Sequence, residues 1–320
     1  MASQLQRTAP PPKDDAEYLW WALGVGLVAA AGYGIYRLRE KNMTDSGPNS
    51  EVILLENLSH APFPAQAGPG AAVVIPPGFS ASRGMRVCVY IRGFSNCVGR
   101  IVDDHDGPCR PGGDKHNSSH LARQLAASGS QTLLILPELV REARSGDPGQ
   151  LSRPGSFQAM VEEVLARVAE RIGLWTLADI GHLGLMSHSG GYQAMAAIVR
   201  QRPAALRSVA LLDSLYGNRS DFAEWVGDHA RGFSPDGGYR IADIYTDGGG
   251  TAAQSRSLAA STQTTLTNVG LRDRCIIDES TTRTLSQAEL AGHAAVFKHS
   301  GLSHTDVSRY YPQQLWAAGW

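Results

Sequence analysis

An α/β fold, a mostly parallel sheet with helices on both faces, is what the sequence predicts for residues 51–320. Two observations carry that expectation. Short runs that are apolar throughout, such as Thr132-Leu133-Leu134-Ile135-Leu136, have the pattern of strands covered on both faces. Between them lie segments whose apolar residues recur at spacings of three and four, and abundant Gly (35) and Pro (17) supply the intervening turns.

The elements follow in order. Glu51 to Leu58 and Ala71 to Ile75 read as short strands across a Pro/Gly-rich turn region. Arg86 to Arg92 is a stronger strand that runs into the loop Gly93-Phe94-Ser95-Asn96. Asn117-Ser118-Ser119 offers N-cap chemistry for a helix through Leu121, Leu125 and Ala126. After the Thr132–Leu136 strand, a loop with Gly146, Asp147, Pro148 and Gly149 leads to a helix from Ser156 to Ile172. The alternation then repeats: strand His182 to Met186 and helix Gly190 to Arg202, strand Val209 to Leu212 and helix Phe222 to Ala230. Strand Arg240 to Tyr245 precedes a helix from Ala253 to Leu266. Ala294 to Lys298 is the last strand expected, and a final helix starts near Thr305. No internal repeat is visible, so residues 51–320 are expected to form one domain.

The N-terminal part reads as a polar tail (1–17), a transmembrane helix (18–36) and a linker (37–50). Tyr18 to Tyr36 holds no charged residue, and an apolar helix of this length can span a bilayer. Trp20 and Trp21 at one end and Tyr33 and Tyr36 at the other suit the two interfaces. Asp14, Asp15 and Glu17 ahead of it argue against a cleaved secretory leader. Arg37, Arg39 and Lys41 behind it favour a cytoplasmic C-terminal domain by the positive-inside rule. A Cys97–Cys109 disulfide, the alternative to four free thiols, would instead require an oxidising compartment.

A formal net charge of −1 gives no electrostatic grip on nucleic acid. No Cys-x-x-Cys pair or zinc-spaced His cluster occurs, so no structural metal is expected.

The chemically informative segment runs from Leu183 to Met195, where an apolar strand meets a helix through a turn of small residues with Ser189 at its apex. A sharp turn of this kind exposes the serine hydroxyl and needs small neighbours. The string Ser187-His188-Ser189-Gly190-Gly191 resembles the Gly-x-Ser-x-Gly nucleophile elbow of the α/β-hydrolases, with Ser187 in place of the first Gly. That resemblance implies Ser189 as nucleophile, followed in chain order by an acid and a histidine.

His304, between the last strand and the final helix, matches the family's catalytic histidine, with His299 as runner-up. His229 and His293 read as surface or helix-end residues. Asp213 directly follows an apolar strand and is preferred as the acid; Asp247, after the next strand, is the alternative. The oxyanion donors would be the N–H groups of Gly190 and Phe94, although Arg92-Gly93 replaces the usual His-Gly.

The resemblance implies a serine hydrolase that needs no metal or organic cofactor; the apolar Tyr18–Tyr36 span adds a membrane anchor, and a small-molecule or lipid ester is the substrate expected beside it. An acyltransferase on the same triad, or an inactive hydrolase-fold binding or assembly protein, remains open. The stretches Pro137–Pro154 and Tyr216–Gly238 could each cover the site. Phe222, Trp225 and Phe233 in the second would either line an acyl pocket or pack as ordinary helix contacts.

Overall fold

The computed structural model describes residues 50–320. The Tyr18–Tyr36 span lies outside them, and among the described residues no helix is long and apolar enough to cross a membrane.

Nine strands of the described residues form one sheet. They are β1 (Glu51–Glu56), β2 (Pro69–Ile75), β3 (Met85–Arg92), β6 (Thr132–Pro137), β7 (Ile180–His188), β8 (Leu206–Leu212), β9 (Arg240–Tyr245), β10 (Cys275–Asp278) and β11 (Ala295–His299). β4 (Gly107–Pro108) and β5 (Lys115–His116) make a separate small hairpin. The order across the sheet is β1-β2-β6-β3-β7-β8-β9-β11-β10. β1–β2 and β2–β6 pair antiparallel, and all other pairs are parallel. Val87, Val89 and Ile91 of β3 face one helical layer and Cys88 and Tyr90 the other, so the whole run is apolar.

Helices α1 (Val98–Val102), α2 (Leu121–Ser128), α8 (Gln287–Gly292) and α9 (His304–Ala317) cover one face. Helices α3 (Ser156–Arg167), α4 (Ala169–Ile172), α5 (Tyr192–Arg200), α6 (Arg219–His229) and α7 (Ala252–Asn268) cover the other. The chain leaving β3 crosses to β6 on one side, whereas the chain leaving β7 moves to β8 on the opposite side. Their carboxyl ends therefore diverge into a crevice, the usual place for a ligand in an open α/β sheet.

Three differences from the sequence expectations have local causes. The helix expected over Ser156–Ile172 is broken at Val168, whose φ −101° and ψ 8° leave helical space. The four-residue β10 was not anticipated; Cys275, Ile276 and Ile277 are only half-buried at the sheet edge, and nothing in so short a run sets a periodicity. A 3₁₀ turn, Ser189–Gly191, precedes α5 where a helix from Gly190 was expected. Cys97 and Cys109 form a disulfide. Phe222, Trp225 and Phe233 are buried in the core, so they pack the α6 side of the sheet rather than line a site.

Candidate active site

Ser189 follows β7 at the centre of the sheet with φ +57°, a left-handed conformation that costs a non-Gly residue free energy. The turn that enforces it is crowded. A Cβ on Gly191 would stand 2.3 Å from the Ile91 carbonyl oxygen of β3, so only Gly lets the elbow approach the neighbouring strand. Gly146, read from sequence as a loop residue, presses on the same turn from the far side. A Cβ there would stand 2.1 Å from the Gly190 carbonyl oxygen.

Ser187, where the motif has Gly, is fully buried. Its hydroxyl lies 2.9 Å from Ser214 Oγ, which donates to the Ser189 carbonyl at 2.7 Å. Ser214 has one proton and spends it on that carbonyl, so Ser187 is the donor between the two hydroxyls. The departure from glycine thus supplies a brace beneath the apex serine.

Asp213 follows β8, is fully buried and also has a left-handed backbone, φ +44°. Its carboxylate accepts from Thr246 N at 3.1 Å, Thr246 Oγ1 at 2.8 Å, Thr251 Oγ1 at 2.5 Å and His304 Nδ1 at 2.7 Å. Burial, the largest single influence, opposes ionisation. The bonds from His304, Thr251 and Thr246 outweigh it and hold the carboxyl below its ordinary range. An ionised carboxylate only accepts, so His304 carries its proton on Nδ1 and leaves Nε2 as an acceptor.

Asp247 stands elsewhere. It is largely exposed, and its carboxylate meets His299 Nε2 at 3.0 Å instead of His304. His299 stacks on Tyr245 at 5.2 Å between ring centres. The two residues held as alternatives for the acid and the histidine therefore pair with each other beside the site. His229 stacks on Tyr239, and His293 Nδ1 bonds the Glu289 carbonyl, both away from Asp213.

Phe94, the residue after Gly93, has φ +49° and a half-exposed ring that lies over Gly190. Its N–H, named from sequence as an oxyanion donor, donates to the Ser145 carbonyl at 3.2 Å. Ser95 N–H donates in the same way to Ala143 at 2.6 Å. The segment after β6 therefore straps the loop after β3, a long-range contact with no signal in the sequence.

Aromatic rings flank His304. Tyr216, 37% exposed, meets it edge-on at 6.4 Å, and Tyr192 lies 5.9 Å from Tyr216. His188, the residue before Ser189, stacks on His304 at 4.5 Å with an interplanar angle of 29°. Among the described residues no group of three or more His, Cys, Asp or Glu could hold a metal ion.

No protein-family model and no curated protein matches the chain. Among solved structures, it is similar to a serine-to-alanine mutant of the feruloyl esterase module from Clostridium thermocellum complexed with sinapinate. The TM-score is 0.53 at 10% identity, covering 86% of this chain and 90% of that one. It is also similar to an S-formylglutathione hydrolase from Agrobacterium tumefaciens, with TM-score 0.43 at 11% identity over 86% and 96% of the two chains. At 10% identity the likeness to the feruloyl esterase module is one of fold alone, an α/β-hydrolase-like fold.

Proposed function

We propose that the protein is a serine hydrolase that cleaves an ester through Ser189, His304 and Asp213. The observation that carries this reading is the 2.7 Å hydrogen bond between the buried Asp213 carboxylate and the half-buried His304, on the same end of the sheet as the strained Ser189 elbow. A neutral hydroxyl is a weak nucleophile, and strain at its backbone is kept where it aims the group. Ser189 Oγ attacks the ester carbonyl while His304 Nε2 takes its proton. Asp213 orients the imidazole and stabilises the imidazolium. His304 then passes that proton to the leaving alcohol; water, deprotonated by the same ring, attacks the acyl-enzyme, and the ring returns its proton to Ser189 Oγ as the acyl bond breaks.

Gly190 N–H, at the start of the turn into α5, has no helical carbonyl to bond and is the first oxyanion donor. Phe94 N–H is the second. Its 3.2 Å bond to a neutral carbonyl is weaker than one to a developing oxyanion, so the exchange favours the transition state. The half-exposed rings of Phe94 and Tyr216 favour esters with an apolar or aromatic group over small charged ones. The sinapinate bound to the feruloyl esterase module of similar fold points the same way.

A membrane anchor at Tyr18–Tyr36 completes the reading, with the domain on the oxidising side, where the Cys97–Cys109 disulfide persists. That side is opposite to the one Arg37, Arg39 and Lys41 favour by charge. A screen of 4-nitrophenyl esters of acetate, butyrate and cinnamate against full-length protein in detergent tests the reaction. Turnover lost in Ser189→Ala supports it, and equal turnover in that variant refutes it. Carbonate extraction tests the anchor, and protection of the domain from protease added to sealed cells would refute the sidedness.

A further inference from the structure

His188 occupies the first of the elbow's two variable positions, and nothing in the motif assigns it a task. Its ring is fully buried and stacked on His304, with centres 4.5 Å apart. Its Nε2 lies 2.8 Å from the backbone carbonyl of His304. A carbonyl only accepts, so Nε2 carries the proton and Nδ1 is bare, and that buried Nδ1 has no hydrogen-bond partner.

An apolar ring could stack on His304 without stranding a polar atom, so stacking alone does not account for a histidine here. What the imidazole adds is the N–H aimed at His304. The residue is itself rigidly held. Strand pairing sets it opposite Arg92 of β3 and Leu212 of β8, and Gly93 N–H donates to its carbonyl at 3.3 Å. Burial first, and the charge of Arg92 next, push its pKa well below the ordinary histidine value, which keeps the ring neutral against His304.

We propose that His188 is a positioning residue that fixes His304 relative to Ser189, by bonding the His304 backbone carbonyl and stacking on its ring. This rests on the reading of Ser189 and His304 as nucleophile and base. His188 and Ser189 are consecutive, so one rigid peptide sets both the nucleophile and the anchor of its base. Misplacement of the base by about 1 Å costs about a hundredfold in rate.

The test compares His188→Gln, which keeps an Nε2 donor at similar reach, with His188→Phe, which keeps the ring plane and loses the donor. Full-length protein is assayed with 4-nitrophenyl butyrate and with a fluorophosphonate probe. Melting temperatures confirm that each variant is folded. The expected result is kcat within about tenfold of wild type for Gln and about a hundredfold down for Phe, with KM within threefold for both. Phe matching or exceeding Gln, or a rise in KM with kcat unchanged, overturns the inference. Wild type labelled at Ser189 with both variants labelled at the same rate defeats the inference alone. A folded wild type that takes no label defeats the triad reading, and the role of His188 with it.

Discussion

Asp213→Asn is the sharpest perturbation of the site because the carboxylate serves several donors through two oxygens. Oδ1 accepts from Thr246 N and Thr251 Oγ1, while Oδ2 accepts from Thr246 Oγ1 and His304 Nδ1. Asparagine has one carbonyl oxygen, and keeping it on the Thr246 N and Thr251 side turns the NH₂ group toward His304. The ring then accepts at Nδ1 and carries its proton on Nε2, so it can no longer take the proton of Ser189. The corresponding change in a serine protease triad lowers kcat about 10⁴-fold, or about 5 kcal/mol in the barrier. Stability also falls, because one threonine hydroxyl loses a charge-assisted acceptor worth about 1.5–3 kcal/mol. Asp247→Asn removes only a mostly exposed partner of His299 and is expected to leave kcat within threefold. Burst and steady-state hydrolysis of 4-nitrophenyl butyrate, with melting curves for both variants, read these effects. Asp213→Asn retaining more than a tenth of wild-type kcat, or Asp247→Asn losing as much as Asp213→Asn, would refute the assignment of the acid.

Three further outcomes are expected. Asp243, fully buried on β9, has its carboxyl pushed up to about 7 by burial, which outweighs the lowering by Ser255, with the charge of Asp213 adding to the rise. An acid whose folded pKa exceeds its unfolded value of about 3.9 loses folding free energy as pH rises between the two. Asp243→Asn should therefore gain stability over wild type progressively from pH 4 to 7, by on the order of 4 kcal/mol in full, read as a widening gap in melting temperature; a gap that is constant with pH would contradict this. Gly146→Ala puts a Cβ against the Gly190 carbonyl, so it should lower kcat at least tenfold and stability by about 1–3 kcal/mol, read by kinetics and urea unfolding. Replacing Cys97 and Cys109 together with Ala opens a loop of sequence separation 12 and should cost about 2–3 kcal/mol in the same unfolding assay.

The sequence pointed to those parts of the proposed site that local chemistry dictates. Ser189 was legible because a strand, a turn of small residues and a helix are contiguous, and His304 because it sits between the last strand and the last helix. Asp213 and Asp247 were not separable from spacing alone, since each follows a strand. Thr246, Thr251 and His304 converge on one of them only after folding. Gly146 read as a loop glycine because its neighbour Gly190 is remote in the chain. His188 carried no assignment from the sequence, since stacking on His304 is a tertiary event. The strap of Ala143 and Ser145 over Phe94 belongs to the same class, and so does the edge strand β10. Local propensity marks strands and turns, whereas contacts between distant segments leave little trace in a single sequence.

The most direct test of the central claim is mass-mapped fluorophosphonate labelling of the full-length protein, with Ser189→Ala and His304→Ala alongside. A single adduct on Ser189, absent from Ser189→Ala and formed at least a hundredfold more slowly in His304→Ala, is the predicted result. An adduct on another serine, or none on a wild type shown to be folded, would contradict an activated Ser189.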